Sequence, residues 1–158
     1  MAVDYFLKIE GIEGESQDKT HKGEIELLSF NWGGTQTSSV ATGSGSGAGR
    51  VNLSDFSVAK HYDKASPKLF LAMATGQHFK SGTLTARKAG KDQQEYLKVT
   101  LTDLFVTSNL VSASNENPSE TVSFSYSKIE VDYKTQSAGG TLTTASKVQY
   151  DLKTNSGA

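Results

Sequence analysis

The stretch Val122-Ser123-Phe124-Ser125-Tyr126-Ser127-Lys128-Ile129-Glu130-Val131-Asp132-Tyr133 decides the fold class. From Val122 to Tyr126 every second residue is apolar, the period of a strand with one buried face. The apolar set then slips by one position to Ile129, Val131 and Tyr133, which a regular strand would send to the opposite face. Strands that change their buried face midway are expected where a sheet curls into a barrel or serves two sheets. Three other segments slip in the same way: Ile25 and Leu27 to Leu28, Phe30 and Trp32; Val51 and Leu53 to Phe56 and Val58; Leu97, Val99 and Leu101 to Leu104 and Val106. A β-bulge near Leu27 would repair the first of these. Working outward, Val3–Ile9 alternates strictly, with Val3, Tyr5, Leu7 and Ile9 on one face and Asp4, Phe6 and Lys8 on the other. A hairpin is predicted at Ala89-Gly90-Lys91-Asp92, between Gly82–Lys88 and Glu95–Asp103, and a last strand at Lys147–Leu152. The expectation is an all-β fold, a bent-strand β-barrel.

One segment breaks the β pattern. In Ser66–Gly76, Ser66 suits an N-cap, Pro67 the first helical position, and Gly76 the left-handed residue after the last turn. A single short helix is predicted, with Leu69, Phe70 and Met73 on its buried face, plugging the barrel. Between Gly33 and Gly49 runs a long extended arm containing Gly43, Gly45, Gly47 and Gly49, followed by Arg50. No Lys-Ser or Lys-Thr follows these glycines and the next element reads as a strand, which rules against a phosphate loop.

At 158 residues the chain is read as a single domain, 1-158. Sixteen basic against seventeen acidic residues give a net charge of -1, which fits no polyanionic partner and hence no nucleic acid. The absence of cysteine excludes disulfides and thiolate sites. Asp4, Lys8 and Glu10 interrupt the N-terminal apolar residues, so neither a signal peptide nor membrane insertion is expected, and the chain reads as cytoplasmic. His21, His61 and His78 lack neighbours at metal-ligand spacing; His21 and His78 read as solvated or capping residues. Paired carboxylates such as Glu24/Glu26 and Glu130/Asp132 read as the wet faces of strands. Trp32 and most of the six tyrosines fall in phase with core positions. No catalytic arrangement, cofactor or metal site is expected. The residues by themselves leave an assembly subunit or a monomeric β-barrel binding module for a sugar or lipid.

The run Asp4-Tyr5-Phe6-Leu7-Lys8-Ile9-Glu10-Gly11-Ile12-Glu13-Gly14-Glu15-Ser16, then Asp18, His21, Glu24-Ile25-Glu26, Ser29 and Trp32-Gly33, resembles the N-terminal signature of the haemolysin co-regulated protein (Hcp) family. Asp63-Lys64-Ala65-Ser66-Pro67-Lys68-Leu69 leading to Gly76 resembles its second motif. The resemblance implies a β-barrel protomer, related to phage tail tubes, that assembles into a homohexameric ring stacking into the tube of a type VI secretion system. It implies as partners a contractile sheath and baseplate, a VgrG-type spike, and small effector proteins carried in the lumen. It also implies export by the machine itself, first cytoplasmic and then secreted, without a signal peptide. With the chain ending at Ala158, just after the last strand, no fused toxin domain is expected. The arm Gly43, Gly45, Gly47, Gly49 and Arg50 would reach a neighbouring subunit. Lumen candidates are Ser112 and Ser114, then Ser123, Ser125 and Ser127, although an outer solvated face fits these hydroxyls equally. Ring stacking is assigned to the hairpin tip Ala89, Gly90 and Lys91 on one rim and to the tail from Asn155 to Ala158 on the other.

Overall fold

The computed structural model describes residues 2–37, 50–89 and 93–158. Its strands are β1 (Val3–Ile9), β2 (Ile25–Leu27), β3 (Ser29–Asn31), β4 (Gly34–Thr35), β5 (Asn52–Leu53), β6 (Phe56–His61), β7 (His78–Lys88), β8 (Glu95–Ser112), β9 (Ser119–Ser125), β10 (Lys128–Gln136), β11 (Leu142–Asp151) and β12 (Ser156–Gly157). One helix, α1 (Ser66–Thr75), lies between β6 and β7. Ten strands form one antiparallel sheet in the order β12-β11-β10-β8-β7-β1-β2, with β3, β6 and β9 joined through β8; β4 and β5 form a separate pair.

Each slip in the sequence marks a corner. Leu28 separates β2 from β3 and is 52% exposed while Ile25 and Leu27 are buried, so the kink lies one residue beyond Leu27. Ser54 and Asp55 separate β5 from β6. In β8 the corner is Asp103, whose φ of 55° is uncommon for a residue with a side chain. Tyr126 and Ser127 turn β9 into β10. The two last corners meet: the Ser127 amide donates to the Thr102 carbonyl at 2.9 Å and its hydroxyl to Asp103 Oδ2 at 2.8 Å. The barrel does not close as one ladder. β2 ends the main path, and pairing resumes only beyond Leu28, where β3 meets β6. The kinks bend the sheet around a core of Leu7, Ile25, Phe56, Val58, Leu84, Val99, Leu101, Leu104, Val106, Val122 and Phe124. Each of these buried side chains contributes about 1.5–3 kcal/mol relative to exposure.

The helix ends as its sequence predicts and begins differently. Gly76 is left-handed (φ 70°), and the Gln77 amide reaches back to the Ala72 carbonyl at 2.9 Å, satisfying carbonyls the last turn would orphan. At the other end the cap is Ala65, without a side-chain bond; Ser66 is the first helical residue, and its hydroxyl is engaged elsewhere. Leu69 and Ala72 are buried and Met73 packs against the core, but Phe70 is 56% exposed, on the outer face of α1 beside Leu71. The aromatic expectations divide: Trp32, Tyr62 and Tyr133 are exposed, whereas Tyr126 is buried and Tyr5 and Tyr150 pack against the core. The strand predicted as the last is β11, which starts earlier, at Leu142, and is followed by β12; its Val148 faces solvent.

Candidate assembly surfaces and the charge clusters behind them

The serine row of β9 divides in two. Ser123 shares a hydrogen bond with Ser57 across the β6–β9 pair at 2.8 Å, and Ser127 is bound to Asp103 at the corner. Ser125 lies between them in a surface cleft of about 660 Å³ lined by His78, Asp103, Phe105, Tyr126, Ser127 and Lys153. Lys153 Nζ sits 2.9 Å from Asp103 Oδ2; that contact, helped by Ser127, lowers the Asp103 carboxyl and raises the Lys153 ammonium. Burial, then the nearby Asp55 charge, pushes the Tyr126 phenol up, while its hydroxyl donates to the Ser54 carbonyl at 2.9 Å. Ser112 closes β8 opposite Ser119, and Ser114 follows in the connecting loop; both are exposed.

The arm has a built stem. β4 pairs with β5, and Gly33 and Ser54 lock its base: the Ser54 amide donates to the Gly33 carbonyl (2.8 Å), and the Gly33 amide to Ser54 Oγ (2.9 Å). Gly43, Gly45, Gly47 and Gly49 lie outside the described residues. Arg50 is described, exposed, and donates to the Leu152 carbonyl of its own chain at 3.2 Å.

The two predicted stacking elements lie at opposite ends of the sheet. Leu97 pairs with Tyr133 and Tyr133 with Ser146 near the β7–β8 hairpin, whereas Thr102 pairs with Lys128 and Lys128 with Asp151 at the far end. Ala89 is at the hairpin end, its amide donating to the Ala2 carbonyl at 3.0 Å, and Gln94 Nε2 donates to the Gly140 carbonyl at 2.7 Å, joining the β10–β11 turn to that rim. Gly90 and Lys91 lie outside the described residues. Asn155, at φ 52°, is in the turn at the far end, but the tail beyond it is no free loop: β12 pairs back on β11, and Gln149 and Ala158 exchange both backbone hydrogen bonds.

Two charge clusters went unread in the sequence. Lys60, wholly buried in β6, holds its three Nζ–H groups among four acceptors: Glu120 Oε1 of β9 (2.5 Å), Asp63 Oδ1 (2.8 Å), Ser66 Oγ (2.8 Å) and the His61 carbonyl (3.1 Å). Ser66 Oγ donates in turn to Glu120, and Asn109 Nδ2 reaches the other Glu120 oxygen at 3.2 Å. Asp63 and Ser66 belong to the second motif, so that motif fastens the start of α1 to β6 and β9 through a buried, fully partnered ion pair. The signal was present: Lys60 is in phase with Phe56 and Val58, and Glu120 with Val122 and Phe124, two opposite charges on core faces.

The second cluster is at the hairpin end. Arg87 of β7 grips Asp18 with both terminal nitrogens (2.6 and 2.9 Å) and reaches Asp4 at 3.2 Å. These bonds hold the Asp18 carboxyl far below the usual carboxylate range and raise the Arg87 guanidinium. The guanidinium stands 4.9 Å from the centre of the Phe6 ring, which accounts for an aromatic residue on the polar face of β1. His21 is neither solvated nor a cap: it is 7% exposed and stacked on Phe6 with ring centres 4.4 Å apart. His78 is exposed and tilted against Phe105, and His61 is exposed.

The family model described as "Type VI secretion system effector, Hcp" matches residues 6–133. Protein hcp1 of Pseudomonas aeruginosa is 43% identical over 143 residues, covering 89% of this chain and 88% of its own. Hcp1 from Salmonella typhimurium superposes with a TM-score of 0.82 at 38% identity, each chain covered completely. A type VI secretion system effector from Yersinia pestis superposes with a TM-score of 0.74 at 34% identity, covering 94% of this chain and 99% of its own. These relatives lend nothing to a sugar- or lipid-binding barrel. By sequence along most of its length and by fold along all of it, this chain belongs to the Hcp family of type VI secretion proteins.

Proposed function

We propose that the chain is the ring-forming subunit of a type VI inner tube. Six copies close head to tail, rings stack into a tube within a contractile sheath on a baseplate, a VgrG-type spike caps it, and contraction expels it. The work is mechanical rather than chemical. Before assembly the subunit is cytoplasmic, and the machine exports it. The observation that carries this reading is the end-to-end match to a solved Hcp protein.

The surface of the single chain supports it. Leu110 (68%), Leu71 (58%) and Val148 (53%) are large apolar side chains left in water. Among the described residues the outer edge of β11 is paired only at its end, and open strand edges template pairing with another copy. Ser112 and Ser114 are the better lumen candidates, because Ser123 and Ser127 already spend their hydroxyls within the chain. Light scattering across a gel-filtration peak, with negative-stain images, tests the reading. Six protomers of 16.9 kDa give about 100 kDa with ring views; a monomer at every concentration would overturn it.

A further inference from the structure

His21 is held between two carboxylates. Its Nδ1 lies 2.8 Å from Glu24 Oε2 in its own loop and its Nε2 lies 2.6 Å from Glu95 Oε1, where β8 begins. A neutral imidazole carries one N–H, so one of these contacts would set a ring lone pair against an anionic oxygen; the imidazolium donates to both. The other charges facing the ring are already engaged. Asp18 Oδ1 accepts the His21 backbone amide at 3.2 Å, but Asp18 and Asp4 are neutralised by Arg87, leaving Glu24 and Glu95 without another cation in contact among the described residues. Lys22, next in the chain, is exposed and makes no ion pair among the described contacts.

We propose that His21 is a proton-dependent latch that, as the imidazolium, ties the Glu10–Glu24 loop to the base of the β7–β8 hairpin. The two arms are unequal. Glu24 is 13% exposed and stays with the ring, whereas Glu95 is 45% exposed and can be taken over by water once Nε2 loses its proton. Losing the proton therefore opens the Glu95 arm and loosens the loop from the hairpin. The latch is internal to one chain and stands whether or not rings form.

Ring 15N NMR of the full-length protein, with amide hydrogen exchange, tests it. Followed through a pH titration, His21 should keep its second ring proton to a higher pH in the wild type than in Glu95→Gln, whose amide can donate to a bare Nε2. Raising the pH from 6 to 9 should speed exchange at Gly14, Ser16 and Gly23 by about tenfold beyond the intrinsic rise in the wild type, as expected when a charge-assisted bond is lost. In Glu95→Gln the excess should vanish. Loss of the second ring proton at the same pH in both proteins, or an excess that persists in Glu95→Gln, would overturn the latch. Because exchange is followed on a variant that keeps a hydrogen-bonding side chain, loss of the fold would be visible separately as exchange throughout the core.

Discussion

β7 and β11 have nearly equal lengths, 11 and 10 residues, and opposite surroundings. β7 is paired on both edges, by β1 and β8, and buries Phe79, Leu84, Ala86 and Arg87. Among the described residues, β11 has β10 along one edge, β12 only at the end of the other, and no fully buried residue. One half of the molecule is thus covered by its own chain, and the other is a wing that the described residues leave uncovered. An isolated binding protein would keep such an edge short or blocked, whereas a ring subunit needs it.

The sharpest way to break this contrast is to attack the self-covered half through its buried ion pair. Lys60→Ala would leave Glu120 charged, buried and unpaired, at a cost of about 3–5 kcal/mol; urea unfolding of the variant at fixed protomer concentration measures it. Replacing both partners at once, Lys60→Met with Glu120→Leu, should recover most of that loss, because hydrophobic packing replaces the pair without leaving a lone charge. A smaller effect is expected at Gly14, where an added Cβ would press on the backbone of Glu24 and Ile25. Gly14→Ala should cost about 1–3 kcal/mol, the usual penalty of overpacking, read as a lower thermal midpoint.

The Arg87 cluster sharpens the comparison through pH. Asp18 has its carboxyl pKa lowered in the folded chain, so its contribution is complete above the ordinary Asp value of about 3.9 and is lost as pH falls toward the lowered folded value. Stability in urea should therefore decline below about pH 5, and in Asp18→Asn the decline should be shallower. Smallest in stability is the wing itself. Val148→Lys, at a solvent-facing position, should change unfolding by no more than about 0.5 kcal/mol yet reduce the assembled fraction seen by light scattering.

What the sequence made legible follows the same division. Strict alternation located β1, and every slip of phase turned out to be a corner: Leu28, Ser54–Asp55, Asp103 and Tyr126–Ser127. These signals are strong because a buried face forces the pattern. The burial of His21 and Arg87 was not legible, because the second face of β1 and β7 is covered by the Gly11–Gly23 loop, whose path depends on contacts distant in sequence, Asp18 to Arg87 and His21 to Glu95. Leu142–Ser146 was missed since Thr143, Thr144 and Ser146 face solvent and no packing imposes alternation. The serine row was legible as a row but not as a function: Ser123 and Ser127 have bonds across the sheet that only the fold creates.

Hydrogen exchange across Leu142–Val148, compared between the assembled and the dissociated protein, tests most directly the claim that β11 awaits another copy. The account predicts that the amides of β11 not bonded to β10 exchange freely in the protomer and become protected on assembly. Equal exchange in both states, with rings intact by light scattering, would contradict it.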